Sequence, residues 1–172
     1  MKIFLHSLGC DKNLVDSELM LGQLFDAGFT MATEPSAASV IIVNTCGFIQ
    51  AAVEEAIETI FEMAQYKQIG DCETLIITGC MAQRHRAEIL KEFPEVDAVL
   101  GVNNFSAIAS IVLEPSQTEP ADTDIFDEKL YEKRAITAPM HVAYIKIAEG
   151  CDNHCTYCTI PSIRGKYRSR KF

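Results

Sequence analysis

The chain has 172 residues, 48% of them hydrophobic, and its mean hydropathy of +0.09 is typical of a globular domain with an apolar core. Its 24 acidic and 15 basic residues give a net charge of −9, which argues against a basic nucleic-acid-binding surface. No apolar run approaches the ~20 residues needed to cross a bilayer, so we expect no membrane partner.

Residues 1–113 alternate short β-branched apolar runs with longer stretches of helical periodicity. Five strands are predicted, at Lys2–Leu8, Phe29–Thr33, Val40–Asn44, Thr74–Thr78 and Val96–Val102. Helices are predicted at Asn13–Ala27, Ile49–Ala64, Arg84–Phe93 and Ser106–Leu113. Because right-handed crossovers place helices on both faces of a parallel sheet, five β/α repeats predict an α/β fold with an open, flavodoxin-like sheet.

The sequence changes in character after residue 113. From Glu114 to Pro139 the apolar periodicity is lost, and acidic residues accumulate at Glu114, Glu119, Asp122, Asp124, Asp127 and Glu128. We interpret residues 114–139 as an acidic linker. The run His141–Ala148 then predicts a new strand that leads into a cysteine-rich loop. The expected domains are therefore residues 1–113, the linker, and a second unit over residues 140–172.

The seven cysteines indicate metal or redox chemistry rather than disulfides, because the start MKIFLHSLGC lacks the apolar core of a signal peptide. We therefore expect a cytoplasmic protein. Cys151, Cys155 and Cys158 form a C-x3-C-x2-C loop. Three thiolates can bind three irons of a [4Fe–4S] cluster and leave the fourth iron open for a small molecule. The alternative is a zinc knuckle, but zinc prefers four ligands and His154 lies inside the loop, badly placed as the fourth.

Cys10, Cys46 and Cys80 each lie near the carboxyl end of a predicted strand. In the strand order 2-1-3-4-5, the first, third and fourth strands are neighbours, about 5 Å apart. The three thiols are then expected to converge on one metal cluster. The alternative is three buried structural cysteines, since free cysteine is among the most buried residue types. Cys72 lies in a turn before a strand and is interpreted as a cysteine with no part in metal binding.

With these motifs located, the chain resembles the methylthiotransferase family of radical S-adenosylmethionine enzymes. The resemblance rests on four motifs that span most of the chain, Ser7–Glu18, Val43–Phe48, Thr78–Gln83 and Ala148–Pro161. After Cys10, the residues Asp11-Lys-Asn13 are similar to the Pro-Lys-Asn of the branch that modifies a ribosomal protein. The tRNA-modifying branch usually has Gln-Met-Asn there. Asp11 departs from the proline, although aspartate also suits a helix N-terminus.

The resemblance implies two [4Fe–4S] clusters and S-adenosyl-L-methionine as cofactors. The cluster that cleaves S-adenosylmethionine would be bound by Cys151, Cys155 and Cys158. An auxiliary cluster that carries the sulfur to be inserted would be bound by Cys10, Cys46 and Cys80. Tyr157 matches a family position near the bound S-adenosylmethionine; the alternative is an ordinary core aromatic.

The implied activity is the addition of a methylthio group to the β-carbon of an aspartate in ribosomal protein S-twelve, with an electron donor as a further partner. The chain resembles only the N-terminal portion of such an enzyme, ending after the first strand and cluster loop of a partial (β/α) barrel. We therefore expect this portion to be inactive alone. The alternatives are a tRNA-adenosine methylthiotransferase, a non-catalytic iron–sulfur electron carrier and a zinc-stabilised interaction module.

Overall fold

The computed structural model describes residues 1–121 and 124–171; Asp122 of the predicted linker and the terminal Phe172 lie outside the described residues. Within these ranges five parallel strands form one sheet in the order β2-β1-β3-β4-β5. The strands are β1 (Lys2–Ser7), β2 (Thr30–Met31), β3 (Val40–Thr45), β4 (Thr74–Gly79) and β5 (Ala98–Leu100). The predicted α/β class and the flavodoxin-like strand order are confirmed.

Helices connect these strands and cover both faces of the sheet. They are α1 (Asp11–Asp26), α2 (Gln50–Ile69), α3 (Cys80–Arg84), α4 (Arg86–Glu92) and α5 (Ile108–Leu113), with 3-10 turns at Pro35–Ala37 and Phe105–Ala107. The helix predicted at Arg84–Phe93 begins earlier, at Cys80, because Cys80, Met81 and Ala82 are buried against the sheet. It is also interrupted at His85, whose backbone is not helical. None of the described helices is both long and apolar enough to cross a membrane.

The core consists of two apolar layers, one on each side of the sheet. All residues of β3 and β4 are buried, and their side chains alternate between the two layers. Ile41 and Ile77 pack with the α2 layer, whereas Ile42 and Ile76 pack with the α1 and α5 layer. Burial on both faces explains why these strands are continuous apolar runs rather than alternating ones.

The segment predicted as a linker packs directly on α1. Ile125 is buried in the α1 layer, and a short helix, α6 (Glu128–Glu132), follows it. The carboxylate of Glu18, fully buried in α1, accepts hydrogen bonds from the Arg134 guanidinium (Nε to Oε2, 2.8 Å) and from the backbone N–H of Thr137 (2.7 Å). Burial raises the pKa of Glu18, but these hydrogen bonds outweigh it and the pKa is lowered.

The strand predicted at His141–Ala148 was wrong over most of its length. The structure has only β6 (Ala148–Glu149), paired antiparallel with β7 (Arg168–Ser169), and a short helix, α7 (Ile160–Arg164), between them. A strand needs a neighbour to satisfy its backbone hydrogen bonds, and β7 is the one described segment that pairs here. The division into residues 1–113, 114–139 and 140–172 stays a prediction.

We predict that Gly22→Ala destabilises the protein. Gly22 lies in α1, and a Cβ built there would be 1.9 Å from the carbonyl oxygen of Lys133. Alanine favours a helix interior by about 1 kcal/mol over glycine, but overpacking of this kind costs about 1–3 kcal/mol. Chemical denaturation followed by circular dichroism should show a lower free energy of unfolding. An increase, which helix propensity alone would give, contradicts the observed packing.

Candidate metal centre

The structure places Cys10, Cys46 and Cys80 at the same edge of the sheet. Cys10 precedes α1, Cys46 follows β3 and Cys80 begins α3 directly after β4. Because β1, β3 and β4 are adjacent and parallel, their carboxyl ends lie side by side. We call these three residues the first cysteine set.

Close approach at this edge depends on glycines, among them Gly9 and Gly79. A Cβ at Gly9 would lie 2.7 Å from Cβ of Cys46, and one at Gly79 would lie 2.3 Å from Oδ1 of Asn44. Both glycines have φ above +85°, a conformation that other residues rarely adopt. Glycine therefore allows the cysteine-bearing turns to pack against one another.

The first cysteine set ranges from exposed to buried. Cys10 is exposed, Cys46 is half-buried and Cys80 is buried, and all three are free thiols. Burial raises the pKa of the Cys80 thiol, although the nearby Arg164 guanidinium opposes this. Sγ of Cys80 also lies 3.7 Å from Oδ1 of Asn13. Thiols bind metals as thiolates, so metal binding here would release the Cys80 proton.

The second cysteine set, Cys151, Cys155 and Cys158, lies in the loop between β6 and α7. Cys155 is exposed, whereas Cys151 and Cys158 are half-buried. The loop is closed by hydrogen bonds from the backbone N–H of Cys151 to the carbonyl of Gly165 (3.1 Å) and from that of Cys158 to the carbonyl of Cys155 (3.0 Å). Its thiols are accessible to a ligand from solvent.

Tyr157, within this loop, has 82% of its surface exposed. Among the described residues Tyr157 thus does not belong to the core, and its place near S-adenosylmethionine stays a prediction. Cys72, in contrast, is buried beside β4, and its thiol contacts the carbonyl of Thr74 at 3.4 Å. Burial raises the pKa of the Cys72 thiol.

Among residues 1–121 and 124–171, no three Cys, His, Asp or Glu side chains are grouped to hold one metal ion. An iron–sulfur cluster makes a different demand, because each thiolate binds its own iron. Each cysteine set supplies three free thiols with at least one exposed member. The donor chemistry of both sets thus fits a cluster better than a single zinc ion, which prefers four ligands.

A group of buried charges joins the segments that carry the two cysteine sets. We call it the buried ion network; it consists of Asp16 from α1, Lys146, Glu149 from β6 and Arg164 from α7. The Arg164 guanidinium donates to Glu149 (2.7 Å) and to Asp16 (3.3 Å). The Lys146 ammonium pairs with the same two carboxylates, at 2.7 Å from Glu149. All four side chains are at most 7% exposed.

Pairing offsets the cost of burying these charges. Burial alone raises the pKa of Glu149, but Lys146 and Arg164 lower it to about 2. Burial likewise lowers the pKa of Arg164, but Asp16, Cys80 and Glu149 outweigh it and the pKa is raised. Removing one member of a buried ion pair typically costs about 3–5 kcal/mol, because its partner is left uncompensated. The network therefore fixes β6 and α7 against α1.

Asn13 connects the buried ion network to the first cysteine set. Its amide nitrogen donates to the carbonyls of Leu8 and Thr45, both at 3.0 Å, which lie just before Cys10 and Cys46 in the chain. Its Oδ1 accepts from Nη2 of Arg164 at 2.6 Å. One side chain thus links both turns to α7.

Sequence reasoning missed the roles of Asn13 and of the buried ion network. One available signal was Lys146, a charge inside an apolar run. The other was the position of Asn13, Asp16, Glu149 and Arg164 within or close to the matched motifs. Neither signal indicates which charges pair.

Comparison with known proteins gives the family. The model described as "Uncharacterized protein family UPF0004" matches residues 2–101, more than half of the chain. The chain belongs to the UPF0004 family. The match covers the first cysteine set, whereas the second set lies beyond it.

Relatives of this UPF0004 chain extend the similarity over the second set. Proteins named "Ribosomal protein uS12 methylthiotransferase RimO" are 53% identical in Lachnoclostridium phytofermentans, 52% in Desulforamulus reducens and 48% in Clostridioides difficile. The alignments cover 98%, 98% and 100% of this chain but only 39% of each relative. The chain thus spans about two fifths of the length of the curated relatives it matches. The resemblance to methylthiotransferases seen in the motifs is confirmed.

We predict that Glu149 makes the stability of this UPF0004 chain acid-sensitive. Its pKa falls from an ordinary 4.5 to about 2 on folding, so its stabilising effect is complete above pH 4.5 and is lost as the pH falls towards 2. The linked change is on the order of 3 kcal/mol. Glu149→Gln should lower stability at neutral pH and flatten the pH dependence between 4.5 and 2, as measured by urea denaturation.

The matched control for this prediction is Glu58→Gln. Glu58 is exposed on α2, so its replacement removes one carboxylate without touching the buried ion network. The pH dependence of its free energy of unfolding should follow that of the wild type. Equal pH dependence of wild type and Glu149→Gln would show that the network does not hold this carboxylate in its charged form.

Proposed function

We propose that the chain is the N-terminal portion of a radical S-adenosylmethionine methylthiotransferase that modifies the β-carbon of an aspartate in ribosomal protein uS12. The observation that carries the proposal is the pair of free cysteine sets, three thiols each, on segments that one buried ion network joins. The name of the relatives, which align over nearly the whole chain, supports the substrate. This portion alone is proposed to be inactive.

The first cysteine set is proposed to bind the auxiliary [4Fe–4S] cluster through Cys10, Cys46 and Cys80. Adjacent strand ends and close packing at Gly9 and Gly79 support this assignment. The half-buried position of the set limits access of water to bound sulfur, while the exposed Cys10 leaves one side open to a substrate.

The second cysteine set is proposed to bind the cluster that works with S-adenosylmethionine, through Cys151, Cys155 and Cys158. When bound, the clusters and S-adenosylmethionine supply radical chemistry at an unactivated C–H bond, which acid–base catalysis at neutral pH does not provide. The loop itself holds the three thiols near solvent, and the exposed ring of Tyr157 is free to pack against the cofactor.

The domain boundaries 1–113, 114–139 and 140–172 are retained as part of the proposal, with the second unit completed by the remainder of a full-length enzyme. The coverage of only 39% of each relative supports this organisation. An electron donor and ribosomal protein uS12 are the proposed partners, and the cytoplasm is the proposed location.

Iron content tests the two-cluster assignment. After anaerobic reconstitution the chain should bind about eight irons, four per cluster. Replacing Cys10, Cys46 and Cys80 together by alanine should halve the iron, and so should replacing Cys151, Cys155 and Cys158. Elemental analysis and visible absorption give the measurement.

Cys72→Ala is the matched control, because Cys72 is a buried free thiol outside both sets. It should leave the iron content unchanged. A colourless protein that holds zinc would contradict the proposal, as would loss of all iron on removal of either set alone.

The substrate is tested with a full-length enzyme that carries this chain. In cells that lack the enzyme, mass spectrometry of ribosomal protein uS12 should show loss of the mass added when one methylthio group replaces one hydrogen. Full-length enzyme should restore it, whereas the same enzyme with Cys10→Ala should not. An unchanged uS12 together with altered tRNA adenosines would instead assign the tRNA-modifying activity.

A further inference from the structure

Arg164 belongs to the segment that carries the second cysteine set, but its guanidinium lies beside a residue of the first set, Cys80. It is the last residue of α7, six residues after Cys158, and its side chain is only 1% exposed. Its guanidinium donates to Oδ1 of Asn13 at 2.6 Å, and Sγ of Cys80 lies 3.7 Å from the same oxygen. α7 also packs on the sheet end through Ile163, which contacts Cys80 and Val102.

The charges around the first cysteine set are locally positive. Among the described residues, the carboxylates of Asp16 and Glu149 face three cations, Lys146, Arg164 and Lys12. Lys12 is two residues from Cys10 and pairs with Glu149 at 3.1 Å. Asp11, next to Cys10, adds a carboxylate, and Arg84, which donates to the carbonyl of Gly47 at 3.2 Å, adds a cation. Four cations thus accompany three carboxylates at this edge, although the chain as a whole carries −9. Such an excess suits a negatively charged group held by thiolates.

We propose that Arg164 is a positioning residue for a cluster bound by Cys10, Cys46 and Cys80, whose negative charge its guanidinium offsets. The inference rests on the proposed function. It also makes the first cysteine set dependent on the segment that carries the second, because α7 supplies the cation. Asn13, which links both cysteine turns to Arg164, fixes the guanidinium at this place.

A cation beside a thiolate ligand affects the reduction potential of a cluster. Net charge and hydrogen bonding around the sulfurs are among the factors that set this potential. A positive neighbour favours the reduced form, which carries one more negative charge. Removing the Arg164 cation should therefore shift the potential to more negative values, whereas a purely structural role predicts lower stability without this shift.

The experiment isolates the first cysteine set by replacing Cys151, Cys155 and Cys158 with alanine in the full chain. After anaerobic reconstitution, the remaining cluster is titrated with dithionite and followed by electron paramagnetic resonance. Arg164→Met should shift its potential to more negative values, and Arg164→Lys, which keeps the charge, should restore most of the wild-type potential. Binding of iron is measured in every variant.

Two further variants separate charge from stability. The double variant Asp16→Asn with Arg164→Met removes one anion and one cation, so Lys146 and Glu149 remain as a balanced pair. It should fold better than Arg164→Met alone and show a smaller negative shift, because an anion is lost together with the cation. Arg134→Met removes a different, largely buried arginine that pairs with Glu18, and should leave the potential unchanged.

The outcomes distinguish this inference from the proposed function. Absence of iron at the first cysteine set of the wild-type background would overturn both. A wild-type iron content with the wild-type potential in Arg164→Met, or in the double variant where Arg164→Met does not fold, would overturn the role of Arg164 alone. A shift of equal size in Arg134→Met would also overturn it, because the effect would then follow loss of stability rather than loss of the neighbouring charge.

Discussion

The arrangement of the described residues depends on the compensation of charges that have been taken out of water. Asp16, Lys146, Glu149 and Arg164 come from three parts of the chain and are almost fully buried. Burying an isolated charge is costly, and attraction between partners offsets that cost only when their geometry is good. None of these elements can therefore move away without leaving the charges of the others unpaired. Apolar contacts build the sheet, but this network decides where β6 and α7 lie on it.

The network also brings two chemically related loops into one region. The position of the first cysteine set follows from the sheet alone, since β1, β3 and β4 end at one edge. The second set has no such support: its loop is closed by a few backbone hydrogen bonds and a two-residue strand pair. The segment that carries it is held to the sheet edge of the first set by Arg164, which extends from α7 to Asn13. Strand pairing thus positions the residues of the first cysteine set, whereas ion pairing positions the segment that carries the second.

Local patterns in the sequence predicted the sheet, because β3 and β4 bury both faces and their apolar runs are continuous. They also placed three cysteines at neighbouring strand ends. They did not reveal Glu18 with Arg134, or Asp16 with Arg164, since these pairs join residues more than 100 positions apart and charged side chains are usually solvated. The false strand at His141–Ala148 has the same origin: its apolar pattern was visible, whereas the pairing of Lys146 with α1 was not.

The net charge of −9 is therefore a poor guide to the electrostatics of the candidate site. Much of the acidic charge lies on exposed positions of α2 and of residues 114–121 and 124–132, where water and salt screen it within about 10 Å. The cations of the buried ion network act across about 3 Å in a medium of lower dielectric constant, where each interaction is several-fold stronger. A thiolate cluster at this edge would experience Arg164 and Lys12 far more strongly than the distant glutamates. An acidic protein can in this way present a cationic environment to an anionic group.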